Sequence, residues 1–148
     1  MQLQLLTIDE LPPRIGYQVW RLRQDVFVVE QECAYADLDG RDLDPGTRQL
    51  ILVDGGQVVG TLRILDDSTV WRIGRVVLAK PYRGQGLADE MVVAALQATT
   101  DRDVVLDAQA PLAQWYTKHG FEVAGDEFVE DGIPHLPMRL WRDLSQAG

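Results

Sequence analysis

Two glycines, Gly84 and Gly86, stand between a strand-like run and a helix-like run, with Arg83 just before them. The full stretch reads Val76-Val77-Leu78-Ala79-Lys80-Pro81-Tyr82-Arg83-Gly84-Gln85-Gly86-Leu87-Ala88. A helix starting there offers backbone N–H groups without intrahelical partners, at the positive end of its dipole. The chemistry of such a place is anion capture. Glycines permit left-handed dihedrals and let a bulky diphosphate approach the main chain. Arg83 and Lys80 add positive charge. Two other phosphate loops fail on spacing. The dinucleotide pattern G-x-G-x-x-G requires glycine at position 89, where this chain has Asp89, and the G-K-[S/T] of a Walker loop is absent. Taken by itself, the loop also reads as a strand-to-helix turn whose glycines serve geometry alone.

The elements that must position this loop follow from periodicity. Leu3, Leu5 and Ile8 suggest an opening strand, and from Pro13 onward Ile15, Val19, Leu22 and Val26 recur at helical spacing. Glu30 to Gly46 is polar and reads as a long loop with a short helix. Gln49 to Val53, Gln57 to Leu65 and Val70 to Leu78 read as strands, the first two joined by a hairpin at Asp54-Gly55-Gly56. Pro81 ends the third. A helix follows from Ala88, with Met91, Val92, Ala95, Leu96 and Thr99 on one face. Val104 to Leu106 reads as a short buried strand, and Pro111 to His119 as a helix closed by Gly120. Phe121 to Phe128 and Leu136 to Trp141 complete the chain as an antiparallel pair around Asp131-Gly132. The sum is an α/β domain: a mixed, largely antiparallel sheet of about seven strands flanked by helices.

Bulk properties bound the function. At 148 residues the chain fits a single domain, residues 1–148, with no repeat or linker. Its net charge of −9 repels nucleic acid and anionic membrane, and favours cationic small molecules or basic peptides. A phosphate site must then be a local positive island. One cysteine, Cys33, excludes an intrachain disulfide. A plain thiol is its simplest reading, with a covalent relay as the alternative. Without a basic n-region or a long apolar run, a cytoplasmic location is expected. His119, His135 and Cys33 lack metal-ligand spacing, so no metal is expected.

The order R-x-x-G-x-[G/A], carried by Arg83, Gly86 and Ala88, resembles the acetyl-CoA motif of the GNAT N-acetyltransferase superfamily. Tyr116, Gly120 and Phe121 are similar to its Y-x-x-x-G-F signature. At finer grain Arg21 to Gln31, Asp37 to Asp42, Ile73-Gly74-Arg75-Val76 and Asp131-Gly132-Ile133-Pro134-His135 resemble the ElaA-like branch. The resemblance implies acetyl-CoA as donor substrate and an amine as acceptor. It implies a pyrophosphate cradle from Arg83, Gly84, Gln85, Gly86, Leu87 and Ala88, and backbone contacts to the pantetheine arm from Val76, Val77 and Leu78. The family pattern carries Asn seven residues before the tyrosine. This chain has Gln109, whose longer amide can make the same contact.

Acetyl transfer needs a neutral amine and a proton for the departing thiolate. A lysine-like amine of pKa about 10.4 is neutral about once in 2,500 at pH 7, which costs roughly 4.6 kcal/mol. A positioned base supplies that help. His135, Glu30 and Glu32 are rival bases, and each also has a purely structural reading. Tyr116 is the expected general acid, against the alternative of a packed core tyrosine. It is also expected to touch the donor. Between Glu30 and Asp44 lie six acids (Glu30, Glu32, Asp37, Asp39, Asp42, Asp44) and one base, Arg41. They form either a mouth selecting a cationic amine or a solvated acidic loop. The competing function is a non-catalytic acyl-CoA-binding regulatory module on the same fold, and the assembly is a monomer or a homodimer.

Overall fold

The computed structural model describes residues 1–143. One eight-stranded sheet carries helices on both faces, in the strand order β1-β2-β3-β4-β5-β8-β6, with β7 also paired to β8. The strands are β1 (Gln2–Thr7), β2 (Arg48–Asp54), β3 (Gln57–Asp67), β4 (Val70–Leu78), β5 (Asp103–Gln109), β6 (Glu122–Val123), β7 (Phe128–Glu130) and β8 (Ile133–Leu140). The helices are α1 (Pro13–Arg23), α2 (Leu87–Gln97) and α3 (Ala113–Thr117). Every pairing is antiparallel except β4 with β5.

Alternation along β2 shows how two cores are filled. Leu50 and Leu52 point into the larger one, with Leu62, Ile64, Met91, Val92, Leu106 and Phe121. Ile51 and Val53 point the other way, to Val19 and Val58. The second core lies under α1, where Ile15 and Leu22 pack as the spacing predicts. α2 lies close on the sheet. A Cβ on Gly60 would fall 2.9 Å from both Leu78 Cδ1 and Met91 Sδ, so any side chain here requires those two to shift. The β2–β3 hairpin turns on Gly55 and Gly56, both with positive φ, as a two-residue loop between Asp54 and Gln57.

The helix from Pro13 continues past α1, through Val26, as a π-helical segment over Gln24–Glu30. One expectation needs correction. The span Phe121 to Phe128 is not one strand: β6 and β7 pair separately with β8. The reason lies in β8, where Pro137, without an N–H donor, falls between the residues paired with β7 and those paired with β6. Gly125 passes so close to Pro137 that a Cβ would sit 2.8 Å from its ring.

Candidate active site

β4 and β5 run side by side only at Val70, Trp71 and Arg72, opposite Asp103, Val104 and Val105. Beyond that point no pairs join them, and both strands line one cavity of about 930 Å³. The divergence starts at a bulge. Between β3 and β4 the register steps from Thr61 opposite Val77 to Arg63 opposite Gly74, two residues against three. Arg75, inside the bulge, has φ of +52°. Ile73 to Leu78 therefore present an edge toward the cavity with backbone groups that β5 does not take up.

The cavity gathers most of the residues singled out in the sequence. Val76, Val77, Leu78, Arg83, Gln109, Tyr116, His135 and Glu30 all line it, with Cys33. Gly84, Gln85, Gly86, Leu87 and Ala88 lie outside its wall, on the loop that continues from Arg83 into α2. Gly84 and Gly86 have φ of +77° and +79°, and a Cβ at either would meet nothing within 4 Å. Gly86 caps α2 without a side-chain hydrogen bond, and the first amide to bond back is that of Glu90, to the Gly86 carbonyl. The amides of the first turn lie ahead of it.

Tyr116 is 6% exposed, in edge contact with Trp115 and Phe121. Burial pushes its phenol up to about 12. His135 stacks on Phe128, and its Nδ1 lies 2.7 Å from the Ile133 carbonyl oxygen. That oxygen only accepts, so Nδ1 is the donor there, which in the neutral imidazole makes Nε2 the acceptor. Glu30 is held differently: Arg83 Nη1 and Nη2 donate to its two carboxylate oxygens at 2.9 and 3.0 Å, and Arg83 Nε donates to the Leu78 carbonyl. The Arg83 hydrogen bonds hold the Glu30 carboxyl below its ordinary value, so it is a weak base. Gln109 Nε2 donates to Gln31 Oε1 at 3.3 Å. His119 bonds Asp89 across to the first turn of α2, at 2.8 Å, rather than capping its own helix.

The acidic loop is not an open mouth. Asp37 and Asp42 pair with buried Arg23, Asp39 and Asp42 with Arg63, and Asp44 with Arg41. Arg63 donates to Asp39, which sits well below the usual carboxylate range for that reason. Asp131, in the stretch that ends at His135, also lines the cavity, and the carboxylates missed by sequence reasoning are Asp107 and Glu130, from β5 and β7. No local pattern marks them, because the topology alone brings those two segments together.

The sequence pattern of the family described as "Acetyltransferase (GNAT) domain" matches residues 21–141. The chain belongs to the GNAT acetyltransferase family. Among its GNAT relatives, the UPF0039 protein Rv2851c of Mycobacterium tuberculosis is 45% identical over 134 residues, covering 87% of this chain and 86% of the relative. The crystal structure of Escherichia coli ElaA superposes with a TM-score of 0.91 at 34% identity, over 97% of this chain and 100% of that one. An acyl-CoA N-acyltransferase from Pseudomonas aeruginosa gives 0.90 at 38% identity, over 96% and 99%. The GNAT fold and the likeness to ElaA are thus shown. Among the described residues no helix is long and apolar enough to cross a membrane, and no three His, Cys, Asp or Glu side chains gather as a metal site.

Proposed function

We propose that this single-domain chain is an acetyl-CoA-dependent N-acetyltransferase acting on a primary amine of a small molecule or peptide. The observation that carries the reading is one cavity running from Arg83, at the glycine loop, along the unpaired edge of β4 to Tyr116 and His135. The diphosphate rests on the amides of Gly84 to Ala88, and the pantetheine arm lies against Val76, Val77 and Leu78 as an added strand would. Gln109 supplies an amide beside that arm. The amine nitrogen attacks the thioester carbonyl carbon, the C–N bond forms and the C–S bond breaks. His135 Nε2 takes the proton lost by the amine, and Tyr116 gives its proton to the thiolate. Glu30, committed to Arg83, is the weaker candidate base. Glu130 and Asp131 favour a cationic acceptor, in place of the neutralised loop, while Asp107 is paired with Arg72 at 3.3 Å.

The test is binding followed by turnover. Acetyl-CoA at a hundredfold excess over Kd should stabilise the fold by about 2.7 kcal/mol in a melting experiment. A screen of amines, polyamines, amino acids and peptide N-termini should then release free thiol. Stabilisation without thiol release from any amine points to a regulatory acyl-CoA-binding module, and no stabilisation removes the donor reading.

Two variants sharpen it. Gly86→Val puts a β-branched residue at φ +79° and should weaken CoA about tenfold or more by calorimetry. An unchanged Kd would take the cradle away from this loop. In His135→Ala the rate should fall about a hundredfold, while Glu30→Gln keeps the wild-type rate. The reverse pattern would make Glu30 the base.

A further inference from the structure

Arg75 is the residue at which the β4 bulge adopts a left-handed backbone, φ +52°, although glycine stands next to it at position 74. A non-glycine residue in that region is strained, and persists where its surroundings hold it. The holding groups come from the acidic loop. Arg75 Nε lies 2.9 Å from Asp37 Oδ1, close but off hydrogen-bond alignment, and its Nη2 donates to the Asp37 carbonyl at 3.2 Å. Nη2 is also 3.5 Å from Asp39 Oδ2, and the guanidinium sits 5.2 Å from the centre of the Tyr35 ring. Asp37 is itself fixed: Arg23 Nε donates to its Oδ2 at 2.9 Å and the Tyr35 hydroxyl to its Oδ1 at 2.5 Å. A chain of contacts therefore runs from α1, through the loop, to the residue that bends β4 away from β5.

We infer that Arg75 and Asp37 are positioning residues for the donor, bracing the bulge that keeps the β4 edge open to the pantetheine arm. The inference rests on the acetyl-CoA reading above and gives the acidic loop a task other than acceptor selection. The brace acts on the gap between β4 and β5, which the pantetheine arm needs. The glycine loop, which holds the diphosphate, lies beyond the bulge. The two halves of the donor thus respond differently. Without its side-chain partners an alanine at 75 relaxes toward right-handed dihedrals and the bulge is lost. Glycine keeps the left-handed backbone with no brace at all.

Calorimetry with CoA and with adenosine 3'-phosphate 5'-diphosphate, the nucleotide half of CoA, separates these effects. Arg75→Ala should bind CoA about tenfold more weakly and the nucleotide half within about twofold of wild type. Arg75→Gly should recover most of the CoA affinity. Three results overturn the brace: Arg75→Ala binding CoA like wild type, both ligands weakened alike, or Arg75→Gly as weak as Arg75→Ala, which would mean direct contact by the side chain. A wild-type protein that binds neither ligand overturns the donor reading, and the brace with it. Binding by wild type with any of the three results above leaves the donor reading standing and removes only the brace.

Discussion

Tyr116→Phe should lower turnover by about 10²–10³ while leaving the Kd for CoA within about twofold, measured by thiol release with an acceptor from the amine screen and by calorimetry. At 1.36 kcal/mol per decade this is about 2.7–4 kcal/mol of lost barrier reduction. The substitution is clean because phenylalanine keeps the ring contacts with Trp115 and Phe121 and removes only the hydroxyl. Burial, which pushes the phenol up to about 12, keeps it protonated through the working range. It also disfavours the thiolate in the same cavity, so the gap between acid and leaving group is smaller than the phenol's value alone suggests. The acid form is present below the folded value and lost above it. Wild type should therefore show no alkaline loss of activity from this group between about pH 6 and 10. Wild-type turnover in the variant would reduce Tyr116 to a core residue.

Much of the fold was legible because it rests on local signals. The hairpin at Gly55 and Gly56, the buried face of α2 and the strand-to-helix passage through Gly84 and Gly86 are all written within a few residues. The site was legible in the same measure: Tyr116, Arg83, Gln109 and His135 were singled out and the structure places them around one cavity. What could not be read depends on distant partners. Arg23 sits on a helix with the outward look of a surface arginine, yet it is fully buried against Asp37 and Asp42, 14 and 19 residues away. The acids between Glu30 and Asp44 looked like a solvated run or a substrate mouth for the same reason. The arginines that hold Asp37, Asp39 and Asp42 come from α1, β3 and β4, and nothing in the local pattern announces them. The split of the last strands follows from Pro137, whose effect depends on which neighbour it faces.

Asp42→Ala should be the most damaging single change to stability. The carboxylate is 6% exposed and accepts four hydrogen bonds. Oδ1 takes Arg23 Nη1 at 2.8 Å and Gln49 Nε2 at 2.7 Å, and Oδ2 takes Arg23 Nη2 at 3.1 Å and Arg63 Nη1 at 3.3 Å. Its removal leaves two buried guanidinium groups short of countercharge, and breaking a buried pair from one side costs about 3–5 kcal/mol. Against a total stability of about 5–15 kcal/mol, the melting temperature should drop on the order of 10 °C. Asp44→Ala, at an exposed pair 3.6 Å from Arg41, should stay within about 0.5 kcal/mol of wild type. The pH dependence gives an independent check. Burial pushes the Asp42 carboxyl up, but Arg23, Arg63 and Gln49 outweigh it and hold it below its ordinary value. A folded value below the unfolded one means the stabilisation is complete above about pH 4 and disappears as pH falls through the folded value. Wild type should therefore lose stability on acidification more steeply than Asp42→Ala, so the two melting curves converge at low pH. Parallel acid limbs would show that the buried arginines find other partners, and that Asp42 fills space rather than balancing charge.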